Sequence, residues 1–558
     1  MSIISKTLIT LSLGAGAIVE HGFIKDTENS YKVNGKVLIK ILKKNCKSEI
    51  GAKYDFANIR CIKDFREKFP LTDYGFYEEY IDKMAKGNEN ILVSEKIEYF
   101  GHTSGTTGKQ KLIPVTKHSR LTASKYMGLL INKFAYNNFK NNWNYGKGLM
   151  IADIVMTTYT EGGVPICSAT SGGMKKIEHI LPYLYTSPIE VMGIKDKDTA
   201  NYLHLLFAIK ERNLAYISGV FISNVLDLFR ILEENYKDLI RDIRKGSINK
   251  KLNLDKDLRN KLNGYLSPNA TRANDIEEEF NKGFKGIVKR IWPNIMYIAT
   301  VTGANFSIYD DKVNYYTDYL PIYSTVYGAT ESTIGINPYI EKIRYVVIPD
   351  TVFYEFIPIK EINKENPKTL LINEINVGES YEIVITNYAG LYRYRLGDVV
   401  NVVSYYNNSP EIEFLFRKNQ VLNMVSEKTN EEQITSAIKS TMDKLNLNLV
   451  DYTTMPDNSI TPGRYVFYCE FKEKLVKEKV WNLEEVLDEE LRKSNLAYDR
   501  ARNNKKLGKV KVVILKVNTF KEIKEALFKK GISKNQIKIP RVIMNNKGIL
   551  DILKKNII

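Results

Sequence analysis

The sequence predicts an α/β fold in two parts: a large N-terminal domain of α/β sheets with a β-rich subdomain, and a smaller α+β C-terminal domain. Three observations predict it. At 558 residues the chain exceeds what one ordinary core holds. Strand-length apolar runs ending in glycine-bearing turns alternate with helical stripes, the pattern of a sheet that binds ligands at the carboxyl ends of its strands. The apolar pattern then breaks between Arg417 and Lys428, and a new alternation of helices and strands begins. The body therefore covers 1–417, the connection 418–430 and the small domain 431–558.

Taken in order, Leu8 to Val19 is apolar and preceded only by Lys6. It faintly resembles a signal peptide, but its charged start is thin and no clear small-x-small cleavage site precedes a polar mature start; as an apolar run it is too short to span a bilayer. It predicts a helix packed on the body, without stable membrane insertion. Lys36–Lys44 and Phe56–Phe69 read as helices, and Lys117–Phe134 as a helix over the ligand cleft. Lys147–Ile154 reads as a strand leading into the hydroxyl-rich turn Thr157–Pro165. From Asn224, the residues Val225, Leu228, Phe229, Leu232, Tyr236, Leu239 and Ile243 recur at three- and four-residue steps and predict a core helix. Lys245–Asn274, polar and broken by Gly246, Gly264 and Pro268, predicts a mobile surface excursion. Strands follow at Ile295–Val301 and Tyr323–Val326, the second leading into a turn at Tyr327–Glu331.

From Tyr345 the texture is β-rich: Val346–Ile348, Thr369–Ile372, Tyr381–Thr386, Asp398–Ser404 and Ile412–Phe416 predict a small barrel or sheet closing the large domain. Thr429 and Glu432 predict a capping box, opening a helix that carries Ile434, Ile438 and Leu445. Strands at Tyr465–Phe471 and Val510–Val517 and helices around Leu483–Arg492 and Phe520–Lys530 complete the small domain.

Composition excludes several classes. With 44% apolar and 26% charged residues, the composition is the one expected of a soluble globular protein. Four scattered cysteines with no CxxC pair fit a reducing, cytoplasmic setting and no structural zinc. The net charge of +17 gathers in the tail, where 17 Lys/Arg from Arg500 onward face Glu522, Glu525 and Asp551. No RNA-binding signature, zinc knuckle or basic-region heptad accompanies it, so nucleic acid is not the expected partner.

Four pieces carry chemistry. Thr103-Ser104-Gly105-Thr106-Thr107-Gly108, followed by Lys109 and Lys111, offers hydroxyls and consecutive N–H groups suited to phosphate oxygens. It is not a P-loop, because Gln110 stands where Ser or Thr should follow Lys109 and the glycines are three apart. An ordinary Gly/Ser/Thr surface loop is the alternative. Tyr327-Gly328-Ala329-Thr330-Glu331 supplies an aromatic face, a hydroxyl and a carboxylate for magnesium. Asp398, closing Tyr392-Arg393-Tyr394-Arg395-Leu396-Gly397, offers an acceptor for two ribose hydroxyls, and Lys538 a cation for an α-phosphate. Each alone has an ordinary structural explanation.

Together and in this order, these stretches resemble the adenylate-forming superfamily. Within it they resemble the Gretchen Hagen family of acyl-acid amido synthetases, over roughly Leu38 to Ile543. More particular to that family are Phe65-Arg66 to Pro70-Leu71, Trp292-Pro293 leading to Val301-Thr302-Gly303, Arg417-Lys418-Asn419 with Glu427-Lys428-Thr429, and Gln536-x-Lys538-x-Pro540-Arg541. The resemblance implies a mobile small domain on a hinge at 418–430, and a two-step reaction. A carboxylic acid is adenylated with ATP and Mg²⁺, and the acyl group passes to an amino acid or other amine. It implies that Thr103, Ser104, Gly105, Thr106 and Thr107 bind phosphates and that Glu331 holds Mg²⁺. Asp398 would bind ribose, with Thr302 and Tyr327 flanking adenine beside Gly328, Ala329 and Thr330. Arg417 and Lys428 would lie at the hinge near the nucleotide, and Lys538 would stabilise the α-phosphate during adenylation. The chain departs from plant members at Thr106-Thr107-Gly108-Lys109 and Gly328-Ala329-Thr330, which suggests a microbial branch. An acyl- or aryl-CoA ligase, a carrier-protein loader and a non-catalytic nucleotide-binding protein are the alternatives. A monomer or weak homo-oligomer is expected.

Overall fold

The computed structural model describes residues 3–102, 111–302, 309–418, 422, 424, 427, 429–460, 462–472, 477–529, 537–543 and 546–558. Among them, four sheets organise the chain. A parallel sheet runs Lys147–Ile151, Leu214–Phe221, Tyr297–Val301, Ile322–Tyr323. Its strands carry adjacent buried apolar residues, as parallel strands covered by helices do. The covering helix Ile222–Lys245 buries Val225, Leu228, Phe229, Leu232, Leu239 and Ile243, as its periodicity predicts, and ends on Gly246 in the left-handed region. A second sheet joins Leu112–Thr116, Ile97–His102, Pro165–Cys167 and Met156–Tyr159.

The β-rich part is one seven-stranded antiparallel sheet ordered Phe353–Pro358, Ser380–Thr386, Tyr394–Tyr406, Ser409–Arg417, Tyr345–Val347, Ser332–Ile336, Val326–Ala329. It curls strongly. Val326–Ala329 stands four strands from Tyr394–Tyr406, about 19 Å in a flat sheet, yet the Tyr327 hydroxyl bonds Asp398 at 2.9 Å. Thr369–Ile372 contributes only an isolated bridge at Leu370, so the strand expected there is absent.

Residues 245–274 differ from expectation. Asp255 and Asn269 cap the helices Lys256–Asn263 and Ala270–Asn281, and Leu262, Ala273 and Ile276 pack in the same core as Ile243. One or two apolar residues per turn suffice here because the helices are short, and Gly264 and Pro268 merely separate them. In the C-terminal part the capping box is one residue later than predicted, at Asn430 and Gln433. A strand not foreseen, Leu449–Asp457, joins Arg464–Phe471 and Lys511–Leu515. The apolar clusters here contain only residues from Leu422 onward, and the two largest N-terminal clusters none beyond Ile412.

The N-terminal helix is longer than its apolar run, Ile3–Glu28, and by length and composition alone is long and apolar enough to cross a membrane. Its buried residues are few, Ser5, Gly16, Phe23 and Thr27, and Glu20 accepts a hydrogen bond from the Asn137 amide at 2.7 Å beside them. A Cβ at Gly16 would lie 2.8 Å from the Leu129 carbonyl oxygen, so only glycine permits that approach. Its side chains Ile4, Leu11 and Ile18 face outward, so the helix is laid on the body rather than buried in it.

Candidate active site

The curled sheet fixes three of the predicted side chains. Asp398 and Arg417 are cross-strand partners, and Asp398 accepts hydrogen bonds from Arg417 Nε (2.6 Å), Arg417 Nη2 (3.1 Å) and the Tyr327 hydroxyl. Charge-assisted pairs of this fork geometry are the strong class of hydrogen bond. The Tyr327 ring packs against Tyr345 and Phe414. Tyr327, Gly328 and Ala329 belong to a strand, so the turn reduces to Thr330 and Glu331. The Asn387 amide pins it by donating to the Glu331 carbonyl at 2.9 Å. Burial pushes the Glu331 carboxyl above the usual carboxylate range; Arg417 opposes this, Asp398 adds to it and Lys111 opposes it.

The root of the glycine loop meets this hairpin. A Cβ on Gly101 would lie 2.6 Å from Thr330 Cγ2, so the strand Ile97–His102 approaches the turn closely enough that any larger residue would displace the Thr330 side chain. Next to it, His102 is fully buried, neither ring nitrogen finding a hydrogen-bond partner among the described residues, and burial lowers its pKa despite Asp153. Thr103, Ser104, Gly105, Thr106, Thr107 and Lys428 lie outside the described residues.

The other side of the site belongs to the C-terminal part. Lys538 Nζ lies 3.6 Å from Glu431 Oε2. Burial lowers the ammonium pKa; Glu431 opposes this, Arg417 and Arg541 reinforce it and Asp398 opposes it, so the lysine shares the field of the sheet residues. The segment carrying it is tied to the strand Leu449–Asp457: the Thr453 hydroxyl donates to the Pro540 carbonyl at 2.6 Å, and Thr454 N donates to the Arg541 carbonyl at 2.9 Å. Thr302, at the end of Tyr297–Val301, donates to Asp310 Oδ1 at 2.9 Å.

The Tyr392–Asp398 stretch divides its labour. Arg393, at φ +45°, forks onto the buried Glu355 at 2.9 and 3.0 Å and donates to the Phe69 carbonyl at 2.8 Å. Arg66 meets the same Glu355 at 2.9 Å, and Arg395 forks onto Glu382 at 3.1 and 2.5 Å. These arginines are structural, and Asp398 is the member that meets Tyr327 and Arg417. Trp292 likewise is a core residue, its indole donating to the Ala208 carbonyl at 3.0 Å.

Residues 19–322 match the GH3 family N-terminal domain, 345–417 the GH3 family central domain and 432–547 the GH3 family C-terminal domain. The chain belongs to the GH3 family. It is 31% identical to the 4-substituted benzoates-glutamate ligase GH3.12 of Arabidopsis thaliana, with 94% of this chain and 95% of that protein aligned. It is 30% identical to the probable indole-3-acetic acid-amido synthetase GH3.11 of Oryza sativa subsp. japonica, over 95% and 94%. Among solved structures, the GH3.15 acyl acid amido synthetase superposes with a TM-score of 0.85 at 26% identity, over 95% of this chain and 94% of that one. The chain is accordingly an acyl-acid amido synthetase, a ligase that forms amide bonds.

Of the residues that hold the two parts of the site together, sequence reasoning missed Tyr309 and Asp451 and met Arg541 only as a member of the Gln536–Arg541 stretch. The Tyr309 hydroxyl donates to Asp451 Oδ2 at 2.9 Å and accepts from Arg541 Nη2 at 2.9 Å. Arg541 also bonds Asp451 Oδ1 and donates to the Tyr452 carbonyl at 2.7 Å. Asp451 stands 90 positions before Arg541, a separation that leaves no local pattern.

Proposed function

We propose that this GH3 member adenylates a carboxylic acid with ATP and Mg²⁺, then transfers the acyl group to the amine of an amino acid. The observation that carries this reading is that Lys538, on the C-terminal part, and Glu331, on the sheet's turn, both lie in the field of the hydrogen-bonded pair Asp398 and Arg417. In the first step a carboxylate oxygen of the acid bonds the α-phosphorus, and the bond to the bridging oxygen breaks, releasing pyrophosphate. In the second the amine bonds the acyl carbon, the acyl–phosphate bond breaks, a proton leaves the nitrogen and AMP departs.

Lys538 stabilises the charge that grows on the α-phosphate, an electrostatic contribution. Asp398, held by Arg417 and Tyr327, receives the ribose hydroxyls, and Thr302 and Tyr327 flank the base. Thr103, Ser104, Thr106 and Thr107 bind the phosphates, and Lys428 and Arg417 sit at a hinge on which the domain of Lys538 turns. The donor chemistry at Glu331 fits a divalent cation: an oxygen ligand whose burial disfavours its charge, beside a second carboxylate, is relieved by a metal. Mg²⁺ bound there would neutralise phosphate charge. The acyl group would lie against Lys117–Phe139, whose middle turn Lys125–Leu130 is π-helical, a feature frequent at functional sites. Met127 of that turn meets Thr333, two residues beyond Glu331.

ATP/pyrophosphate exchange tests the reading across a panel of acids drawn from the relatives: indole-3-acetate, jasmonate, a 4-substituted benzoate and 2,4-DB. Acid-dependent exchange, followed by AMP release on adding amino acids, is the expected result. AMP release that requires CoA would replace the amide step with a thioester step. No exchange with any acid would overturn the reading.

A further inference from the structure

Two neighbouring residues at the start of the helix Asp310–Thr317 hold different things. Asp310 accepts from Thr302, at the end of a parallel-sheet strand in the large domain, while Tyr309 accepts from Arg541 and donates to Asp451, both in the small domain. The second contact is built like a core. Tyr309, Asp451 and Arg541 are all more than nine-tenths buried, and the Arg541 guanidinium stands 4.5 Å from the Tyr452 ring centroid and 5.7 Å from that of Tyr309. Beside it Lys312 donates to the Leu449 carbonyl, extending the contact onto the same strand. Arg541 is three residues from Lys538, on the segment tied to the strand Leu449–Asp457 by the Thr453 and Thr454 bonds. Tyr309 is therefore where, among the described residues, the large domain grips the lysine's own segment by buried hydrogen bonds.

We propose that Tyr309 is a positioning residue for adenylation: through Arg541 and Asp451 it holds the small domain in the arrangement that presents Lys538 to the α-phosphate. This inference rests on the two-step reading above. The contact serves the first half-reaction alone. Adenylation needs Lys538 beside the phosphorus while the bond to pyrophosphate breaks, whereas aminolysis takes place at the acyl carbon, and the phosphorus keeps its four oxygens as AMP leaves. A buried polar clasp suits this division, because each of its groups finds water when the domains part, which an apolar interface would resist.

Tyr309→Phe keeps the ring and removes both hydrogen bonds. With the panel acid that gives the fastest exchange, the variant should lose roughly ten- to hundredfold in ATP/pyrophosphate exchange, as expected for two buried hydrogen bonds whose charged partners, Asp451 and Arg541, still hold each other. Its KM for ATP should stay within about threefold. Amide formation from chemically prepared acyl-adenylate and amino acid should stay within about threefold of the wild type, which also proves that the variant is folded. Arg541→Lys, keeping charge but losing the fork, should show the same split. Equal loss of both half-reactions would make Tyr309 merely structural, and undiminished exchange would remove it from positioning; either result overturns the inference. Silence of the wild type in exchange would overturn the two-step reading, and this inference with it.

Discussion

The two halves of the site are held in opposite ways. On the large-domain side, Tyr327, Asp398 and Arg417 come from strands of one curled sheet, and their hydrogen bonds are internal to it. On the small-domain side, Lys538 arrives across an interface, clasped by Tyr309–Asp451–Arg541 and by ion pairs such as Lys524–Asp227 at 3.3 Å and Lys439–Asp311 at 3.3 Å. Each of the main apolar clusters keeps to one side of that interface, Tyr309 belonging to the large domain's and Tyr452 to the small domain's. Apolar burial is non-directional and costly to undo, while polar groups exchange one another for water at small net cost. On the two-step reading proposed above, the large-domain half is the cradle that binds and the small-domain half is the part that leaves and returns with the chemistry.

The sharpest way to break this comparison is Lys538→Ala. If the small domain contributes chemistry rather than affinity, exchange falls about a thousandfold while ATP binding, followed by calorimetry, changes less than about threefold. A large loss of affinity instead would mean that Lys538 belongs to the cradle. The next largest effect is expected from the cradle itself. Asp398→Ala leaves the Arg417 guanidinium and the Tyr327 hydroxyl without their acceptor. The dissociation constant for ATP should rise by about a hundredfold, in line with hydrogen bonds to a charged group. Unchanged ATP affinity would dismiss Asp398 as a nucleotide contact.

The sequence makes one half more legible than the other for a physical reason. Lys538, Glu331 and Asp398 stand in compact stretches whose residue types state their chemistry, and the helix Ile222–Lys245 announces its buried face through its period. The curl that brings Tyr327 to Asp398 has no local signal, since it accumulates over seven strands. The clasp is illegible for the same reason: Tyr309, Asp451 and Arg541 are ordinary residues until the fold joins them. Arg393 and Arg395 mislead in the other direction, because a motif that contains a site residue also contains the ion pairs that hold its strand. The helices within 245–274 escape notice because two or three apolar residues anchor each, too few to set a period against so many polar neighbours.

Acid separates the two regions at an intermediate magnitude. All five histidines precede residue 205, so the small domain has none. His204 lies buried with Nδ1 2.7 Å from the Ser187 hydroxyl, and burial pushes its pKa down to about 4. The folded large domain thus keeps His204 neutral, while the unfolded chain protonates it below about 6.5. The unfolded state binds the extra proton between those values, so stability is lost as pH falls from about 6.5 to 4 and no further below that. For this one group the loss is about 3 kcal/mol. Calorimetry over this range should show the large domain's transition moving down and the small domain's holding still, with the difference reduced in His204→Asn. Parallel shifts of both transitions would show that the domains unfold as one body.

The smallest effect is the most discriminating for how the halves close. Lys521 and Asp198 face each other across the same interface at 3.4 Å, but both side chains are more than half exposed. Exposed pairs of this kind contribute between nothing and about 1 kcal/mol, and salt screens them. If the buried clasp governs closure, Lys521→Ala leaves exchange within about twofold of the wild type, and raising the salt from 50 to about 300 mM does no more than the substitution itself. A tenfold loss in Lys521→Ala, abolished by salt in the wild type, would place closure under the control of rim charges. The fixed-versus-delivered distinction would survive that result, but Tyr309 would no longer be what sets the delivered half in place.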